Sequence, residues 1–108
     1  MRAIVLLILL CLPVQAMRIT GYCSCSACCG KNAQGITASG KRPREGITCA
    51  APRKVPFGTK VKIAGLGTLV VQDRLAKSHD DSIDIYFYNH ADAVQFGLKN
   101  RSVIYLHR

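Results

Sequence analysis

Short apolar runs alternate with polar and glycine-rich stretches along most of the 108-residue chain. Apolar and polar positions alternate one by one in residues 18–22 and 60–63, as they do in half-buried β-strands. The sequence AGLG at residues 64–67 is short enough to join 60–63 to an apolar run at 68–72, which predicts a hairpin. Further buried or strand-like segments are expected at residues 47–51, 83–86 and 102–107. The pattern therefore predicts five or six short strands.

The period changes after Tyr88, where the sequence favours a helix. Asn89 suits an N-cap, Asp92 places an acid in the first turn, and Gly97 suits a C-cap, which together predict a short helix over residues 89–96. Its apolar side chains available for the core are Ala93, Val94 and Phe96. Short strands with one or two short helices favour a mainly β fold, a small six-stranded barrel, over a layered α/β fold.

The first 16 residues have the features of a secretory signal peptide. A basic start at Arg2 precedes an apolar run over residues 3–12, and small residues follow up to Ala16. An uncleaved membrane anchor is the alternative, although the apolar run is short for one. Cleavage after Ala16 would leave residues 17–108, enough for one small domain that is not stably inserted in a membrane.

The charge of the chain predicts an anionic partner. The net charge is +9, and removal of the leader, which contains one basic residue, leaves +8. Nucleic acid, a membrane surface and an acidic polymer are the classes of partner that such a charge attracts. Export argues against nucleic acid and favours a cell wall, whose peptides carry carboxylates. The alternative is that the charge merely keeps a secreted protein soluble.

Five cysteines remain after the leader: Cys23, Cys25, Cys28, Cys29 and Cys49. The first four of them lie within seven positions. Export favours disulfides, which help a small core, but an odd number leaves at least one cysteine outside intramolecular pairs. Zinc is the alternative, yet a structural zinc site usually draws on two separated ligand pairs. The three histidines show no metal-ligand spacing, and His90 is expected at the start of the helix.

The stretch at residues 69–86 holds the candidate site. Asp73 follows the apolar run LVV directly, and Asp84 interrupts the apolar run IDIY. Ionised carboxylates next to β-branched residues are costly unless they are paired or hydrogen-bonded, so a special role is expected. The structural alternatives are an ion pair between Asp73 and Arg74, and an Asp84 carboxylate that only satisfies backbone donors.

Four segments together resemble a known family: ITGYCSCSACCGK, GITASGK, CAAPRKVPFGTKVKIAGLGTLVVQDR and IDIYFYNHADAVQFG. They are similar to the 3D domain, the double-psi β-barrel that is also the catalytic domain of the membrane-bound lytic transglycosylase A family. The resemblance implies cleavage of peptidoglycan glycan strands with formation of 1,6-anhydro-muramoyl ends. That chemistry requires no metal and no cofactor.

The resemblance places the family's first aspartate, the acid, at Asp73 and its second at Asp84. The sequence LAKSHD at residues 75–80 replaces the glycine-rich loop of many members, and Tyr88 stands where a third aspartate is often found. The candidates for substrate binding are Thr20, Tyr22, Thr37, Ser39 and Lys77, although such residues are more often strand and turn surface. The altered loop and the missing third aspartate favour a non-catalytic, glycan-binding barrel as the main alternative. A secreted, disulfide-rich inhibitor or effector is a weaker alternative, because it does not explain Asp84 within a strand. The sequence predicts no oligomeric state.

Overall fold

The computed structural model describes residues 14–25, 35–76 and 81–106. In these residues six strands and one helix follow one another along the chain: β1 (Gln15–Tyr22), β2 (Thr48–Ala51), β3 (Lys60–Ile63), β4 (Gly67–Arg74), β5 (Ser82–Tyr86), α1 (His90–Phe96) and β6 (Lys99–Tyr105). The strands close into a barrel in the order β1-β5-β2-β4-β3-β6. The predicted mainly β fold, a small six-stranded barrel with a short helix, is confirmed.

The barrel combines parallel and antiparallel pairs. β1 pairs with β5 and β2 pairs with β4 in parallel, whereas the other four neighbouring pairs are antiparallel. The predicted hairpin is present as the antiparallel pair of β3 and β4. Because neither parallel pair joins consecutive strands, this topology places residues from distant parts of the sequence side by side.

Alternate strand positions fill the barrel interior with apolar side chains. In β3 the sequence KVKI places Val61 and Ile63 inside and both lysines outside, as its alternation predicts. Ile19 of β1 and Ile83 of β5 are also completely buried. The interior cluster consists of Met17, Ile19, Cys49, Ala51, Val55, Val61, Ile63, Leu69, Val71, Ile83, Ile85 and Val103. Burial of this set from water is the main favourable contribution to folding.

The first and last strands differ from their predicted bounds. β6 begins at Lys99, earlier than the predicted 102–107, because its polar first residues pair with Met17, Arg18 and Ile19 of β1. Pairing within the sheet thus outweighs local β-propensity. β1 begins at Gln15, so the predicted cleavage position after Ala16 falls inside this strand. Residues 1–13 of the predicted leader lie outside the described residues, and no helix in the described part of the chain is long and apolar enough to span a membrane.

Helix α1 packs on β1 through fewer side chains than expected. Ala93 is buried and Phe96 is half-buried, but the prediction that Val94 faces the core is wrong, since it is 64% exposed. A helix this short turns only one narrow face to the barrel, and a residue next to Ala93 points away from that face. Gly21 permits the close approach, because a Cβ there would lie 3.0 Å from the Ala93 carbonyl oxygen. Asn89 occupies the N-cap position without a side-chain cap bond.

Candidate functional site

The two predicted catalytic aspartates lie in one row across the barrel wall. Ala50 of β2 pairs with Asp73 of β4 on one side and with Asp84 of β5 on the other, and Asp84 pairs in turn with Thr20 of β1. Neighbouring strands are about 4.8 Å apart, so the Cα atoms of the two aspartates are separated by roughly 10 Å. We call these four residues, Thr20, Asp84, Ala50 and Asp73, the aspartate row. Because Ala50 is small, no large side chain of β2 separates the carboxylates.

An irregularity in β4 turns Asp73 away from the barrel interior. Val71 pairs with Cys49, and both side chains belong to the interior cluster. The register then shifts so that Asp73, not Gln72, lies beside Ala50. An extra residue in one strand reverses the inward and outward alternation beyond it, which is a common function of β-bulges. Without the shift, the alternation would point Asp73 into the apolar core.

Three donors from three parts of the chain hold the carboxylate of Asp73. The backbone N–H groups of Ala38 and Arg74 both donate to Oδ1, each at 2.9 Å. The hydroxyl of Tyr22, the last residue of β1, donates to Oδ2 at 2.7 Å. Contacts of this length to a charged acceptor are among the stronger hydrogen bonds in proteins. The side chain is therefore fixed in position rather than free to turn in solvent.

Arg74 does not neutralise Asp73 through its side chain. Its guanidinium carbon lies 4.0 Å from the centre of the Phe57 ring, and its Nη1 donates to the Pro52 carbonyl oxygen at 3.4 Å. Within the described residues, the salt bridge is between Arg18 and Asp81 at the surface. The alternative interpretation of Asp73 and Arg74 as an ion pair at the strand end is therefore wrong, because the guanidinium has other partners.

The charges of both aspartates affect the pKa of the interior thiol of Cys49. Burial, together with the negative charges of Asp73 and Asp84, raises the pKa of Cys49 from 9.0 to about 12, and burial is the largest of these causes. Both charges therefore lie close to one point on β2, as the pairing of the row requires. A thiol with so high a pKa stays protonated and is a poor nucleophile. Cys49 is thus part of the core and not of the reactive site.

The predicted substrate-binding residues occupy different environments. Thr20 and Ser39 are half-exposed; Thr20 is a member of the row, and Ser39 follows Ala38 in the turn that donates to Asp73. Tyr22 and Thr37 are buried, at 9% and 5% exposure. The Thr37 hydroxyl lies 3.0 Å from the Ser39 hydroxyl and accepts the N–H of residue 41, so it holds the turn in shape. Lys77 lies outside the described residues.

Beside the row, two cysteines meet the predicted helix-start histidine. The Cys23 and Cys25 sulfurs are 3.0 Å apart, and Nδ1 of His90 lies 3.5 Å from the first and 3.3 Å from the second. His90 begins α1, as predicted, and its ring nitrogen lies beside two thiols from a distant part of the sequence. No disulfide joins any two of the described cysteines, Cys23, Cys25 and Cys49. Cys28 and Cys29 lie outside the described residues.

Sequence reasoning missed an apolar pocket that Tyr86 helps to line. The pocket has a volume of about 270 Å³, and most of its lining residues are apolar: Leu66, Leu69, Ile85, Tyr86, Phe87 and Phe96. Glu45 and Gly46 complete the lining, and Glu45 accepts the backbone N–H of Tyr88 at 2.8 Å. In the aromatic run at residues 86–88, Tyr86 is buried and Tyr88 is exposed. No sequence signal pointed to Glu45.

The chain is similar to two cell wall proteins of Bacillus subtilis (strain 168). It is 29% identical over 87 residues to YabE, a protein described provisionally as cell wall shaping, and 30% identical over 73 residues to the cell wall-binding protein YocH. These matches cover 80% and 64% of this chain but 21% and 25% of the relatives, so the chain spans about a fifth to a quarter of their length. No family model matches the chain. Membership of the 3D-domain family thus stays a prediction.

Proposed function

We propose that the chain is a peptidoglycan lytic transglycosylase of the cell wall, with Asp73 as its acid. The observation that carries this proposal is the aspartate row, in which three donors hold Asp73 beside the strand that separates it from Asp84. Similarity to proteins named for cell wall shaping and cell wall binding supports the choice of substrate. A net charge of +9 suits a polymer that carries peptide carboxylates.

In the proposed reaction, Asp73 donates a proton to the glycosidic oxygen as the bond from that oxygen to the anomeric carbon breaks. The same carboxylate then accepts the proton of the sugar's 6-hydroxyl, whose oxygen bonds to the anomeric carbon. The leaving oxygen gains one proton and the hydroxyl loses one, so no water is consumed. Because Oδ1 accepts two backbone donors, Oδ2 is the oxygen that carries the transferred proton.

The other members of the row have supporting parts in this proposal. Asp84 lies two strands from Asp73, where its negative charge would stabilise the oxocarbenium-like centre. Thr20 and Ser39, which are half-exposed, would offer hydroxyl groups to the sugar. Tyr22 acts through Asp73, since its hydroxyl donates to Oδ2. Lys77 is proposed, from the sequence, to contact the peptide carboxylates.

The proposed cellular setting is the cell wall or periplasm. The leader at residues 1–16 would direct export and be removed, leaving residues 17–108 as the working domain. Nucleic acid and stable membrane insertion have no part in this proposal, and the glycan chemistry uses no cofactor. Peptidoglycan glycan strands are the proposed partner.

The test is mass spectrometry of muropeptides after incubation of purified peptidoglycan with the wild type and with Asp73→Asn. The asparagine side chain keeps an oxygen for the N–H groups of Ala38 and Arg74, so the fold is expected to persist. Asp81→Asn is the matched control, since Asp81 is an exposed carboxylate paired with Arg18. We expect anhydro-muropeptides from the wild type and the control, and about 10²- to 10⁴-fold fewer from Asp73→Asn.

Other outcomes would contradict the proposal in distinct ways. Reducing-end products instead of anhydro ends would identify a hydrolase and would move attention to Asp84 as the second carboxylate. Equal anhydro product from wild type and Asp73→Asn would exclude Asp73 as the acid. Absence of any cleavage by folded wild-type protein would contradict the enzymatic proposal as a whole.

A non-catalytic, wall-binding barrel is the second candidate. The observation that favours it is the similarity to YocH, a protein named as cell wall-binding, over 73 residues. The sequence LAKSHD after Asp73, in place of a glycine-rich loop, favours it as well. Sedimentation with insoluble peptidoglycan separates the candidates, since a binding module would sediment with the wall and leave the glycan intact.

A further inference from the structure

We propose that Cys23, Cys25 and His90 form a zinc-binding site that joins the end of β1 to the start of α1. Their three ligand atoms, two sulfurs and one imidazole nitrogen, all lie within 4.8 Å of one another. Thiolate and imidazole ligands bind Zn²⁺ in preference to harder divalent cations such as Mg²⁺ and Ca²⁺. This proposal concerns a different set of side chains from the aspartate row and does not depend on glycan cleavage.

The distances between the ligand atoms are close to those around a tetrahedral ion. Zinc bonds of about 2.3 Å to sulfur and about 2.0 Å to nitrogen hold ligand atoms roughly 3.5 to 3.8 Å apart. The sulfur–nitrogen distances of 3.5 and 3.3 Å are near that range, whereas the sulfur–sulfur distance of 3.0 Å is shorter. Zinc binding would require a small rotation of the half-buried Cys25 side chain that moves the two sulfurs apart.

The burial of the three ligands is graded in a way that suits ion entry. Cys23 is buried, Cys25 is half-buried and His90 is exposed. An ion can therefore reach the ligands from solvent and still be shielded on one side by the protein. Two thiolates balance the charge of one divalent ion, and their two protons are released to solvent on binding. Among the described residues, these three side chains would fill three of the four positions around a tetrahedral zinc ion. One position is then left for a further ligand.

The place of this group in the fold gives the ion a structural role. Cys23 directly follows Tyr22, whose hydroxyl donates to Asp73. His90 is the first residue of α1, and α1 packs on β1 beside Gly21. A zinc ion would thus fasten the helix to the strand end that positions Asp73. Free energy of ion binding would add to the stability of this junction.

The test measures zinc content and affinity in the full chain, purified with a reductant and no chelator. Zinc per chain is measured by inductively coupled plasma mass spectrometry, and affinity by competition with a chromophoric chelator. His90→Ala and Cys25→Ser remove ligands, and Cys49→Ala is the control that removes a thiol from the core instead. Far-UV circular dichroism of each variant verifies folding, which the exposed position of His90 favours.

We expect about one zinc ion per wild-type chain, and an affinity at least roughly 10-fold lower in His90→Ala and Cys25→Ser but unchanged in Cys49→Ala. Cobalt bound in place of zinc is expected to give the intense visible bands of a tetrahedral site with thiolate ligands, and to lose them in Cys25→Ser. The proposal would be overturned if the purified protein contained a Cys23–Cys25 disulfide and still bound no zinc after that disulfide was reduced. Zinc bound with wild-type affinity by folded His90→Ala would also overturn it, because the ligands would then lie elsewhere. Because zinc content is measured without any glycan, the result tests the zinc site independently of the proposed cleavage activity.

Discussion

The two faces of the barrel wall use the same strands for opposite purposes. The inner face of β1 and β5 presents Ile19 and Ile83, which are completely buried in an apolar cluster. The outer face of the same strands presents Thr20 and Asp84, the polar members of the aspartate row. Adjacent residues in one strand thus either stabilise the apolar core or present polar groups on the outer face. A short barrel can combine both tasks because the side-chain period of a strand is two.

The outer face is less regular than the inner face, and the irregularity concentrates at Asp73. The inner face follows simple alternation through Leu69 and Val71, whereas the outer face receives Asp73 through a shift in register. A short turn containing Ala38 and the end of β1 then converge on that carboxylate. We therefore expect the close-packed core to tolerate loss of volume poorly, whereas the position of Asp73 depends on directional hydrogen bonds.

Removal of volume from the inner face should have the largest effect. Ile83→Ala is expected to lower the free energy of unfolding by about 2–5 kcal/mol, because the barrel cannot collapse fully around the cavity. Val94→Ala on the exposed side of α1 is the control, with an expected change within about 0.5 kcal/mol. Urea denaturation followed by circular dichroism measures both. Similar losses in the two variants would contradict the distinction between the faces.

Crowding the contact between β1 and α1 should have the next largest effect. A Cβ at Gly21 would lie 2.8 Å from Cε2 of Phe87 and 3.0 Å from the Ala93 carbonyl oxygen, and the latter is backbone. Gly21→Ala is therefore expected to cost about 1–3 kcal/mol of stability, measured by denaturation. Phe87→Leu in the same chain should relieve part of the cost but not all, since the carbonyl stays in place. A neutral Gly21→Ala would show that α1 can move away freely.

Loss of one hydrogen bond on the outer face should have a smaller effect. Tyr22→Phe removes the donor to Oδ2 of Asp73 and keeps the ring that packs on Tyr86 at 5.5 Å. We expect a loss of about 1–2 kcal/mol, since the acceptor is a carboxylate that is only partly exposed to water. Tyr88→Phe is the control, because Tyr88 is 61% exposed. Equal stability of the two variants would mean that solvent replaces the Tyr22 hydroxyl without cost.

The smallest expected effect is the pH dependence contributed by Cys49. Its pKa is raised from 9.0 to about 12 in the folded protein, so above pH 9 the unfolded chain releases a proton that the folded chain retains. The stabilisation is therefore full below pH 9 and is lost as the pH rises towards 12, by about 1 kcal/mol between pH 9 and roughly pH 10. Denaturation of the wild type and of Cys49→Ala at both pH values isolates this contribution. Parallel losses in the two proteins would contradict it.

The parts of the molecule that follow local alternation were predictable, and the parts that depend on register were not. The sequence KVKI and the AGLG turn predicted β3 and its hairpin, which the structure confirms. Asp73 and Asp84 were singled out as charges beside apolar runs, but their common neighbour Ala50 depends on a shift within the β2–β4 pair. Register between distant strands leaves no local signature in the sequence.

The meeting of His90 with two cysteines was hidden for a related reason. His90 is separated from Cys23 by 67 positions, and the parallel pairing of β1 with β5 brings the following segments together. Metal-ligand patterns are recognised in sequences by short spacing, so a group assembled from two distant segments escapes notice. The exposed position of Val94 was missed because a helix of one or two turns does not fix which apolar side chain faces inward.

The closure of the barrel also has a consequence for the order of events in folding. Within the described residues, the first strand, β1, pairs with the last two strands, β5 and β6. Ile19 and its partner Lys99 are therefore separated by most of the length of the chain. Contacts between such distant residues form slowly, since a long loop must close before any stabilisation is gained. Until β6 has been synthesised, β1 and β3 each lack a neighbour, and the emerging chain stays open. The closed barrel can therefore form only once the last described strand is available to pair with both.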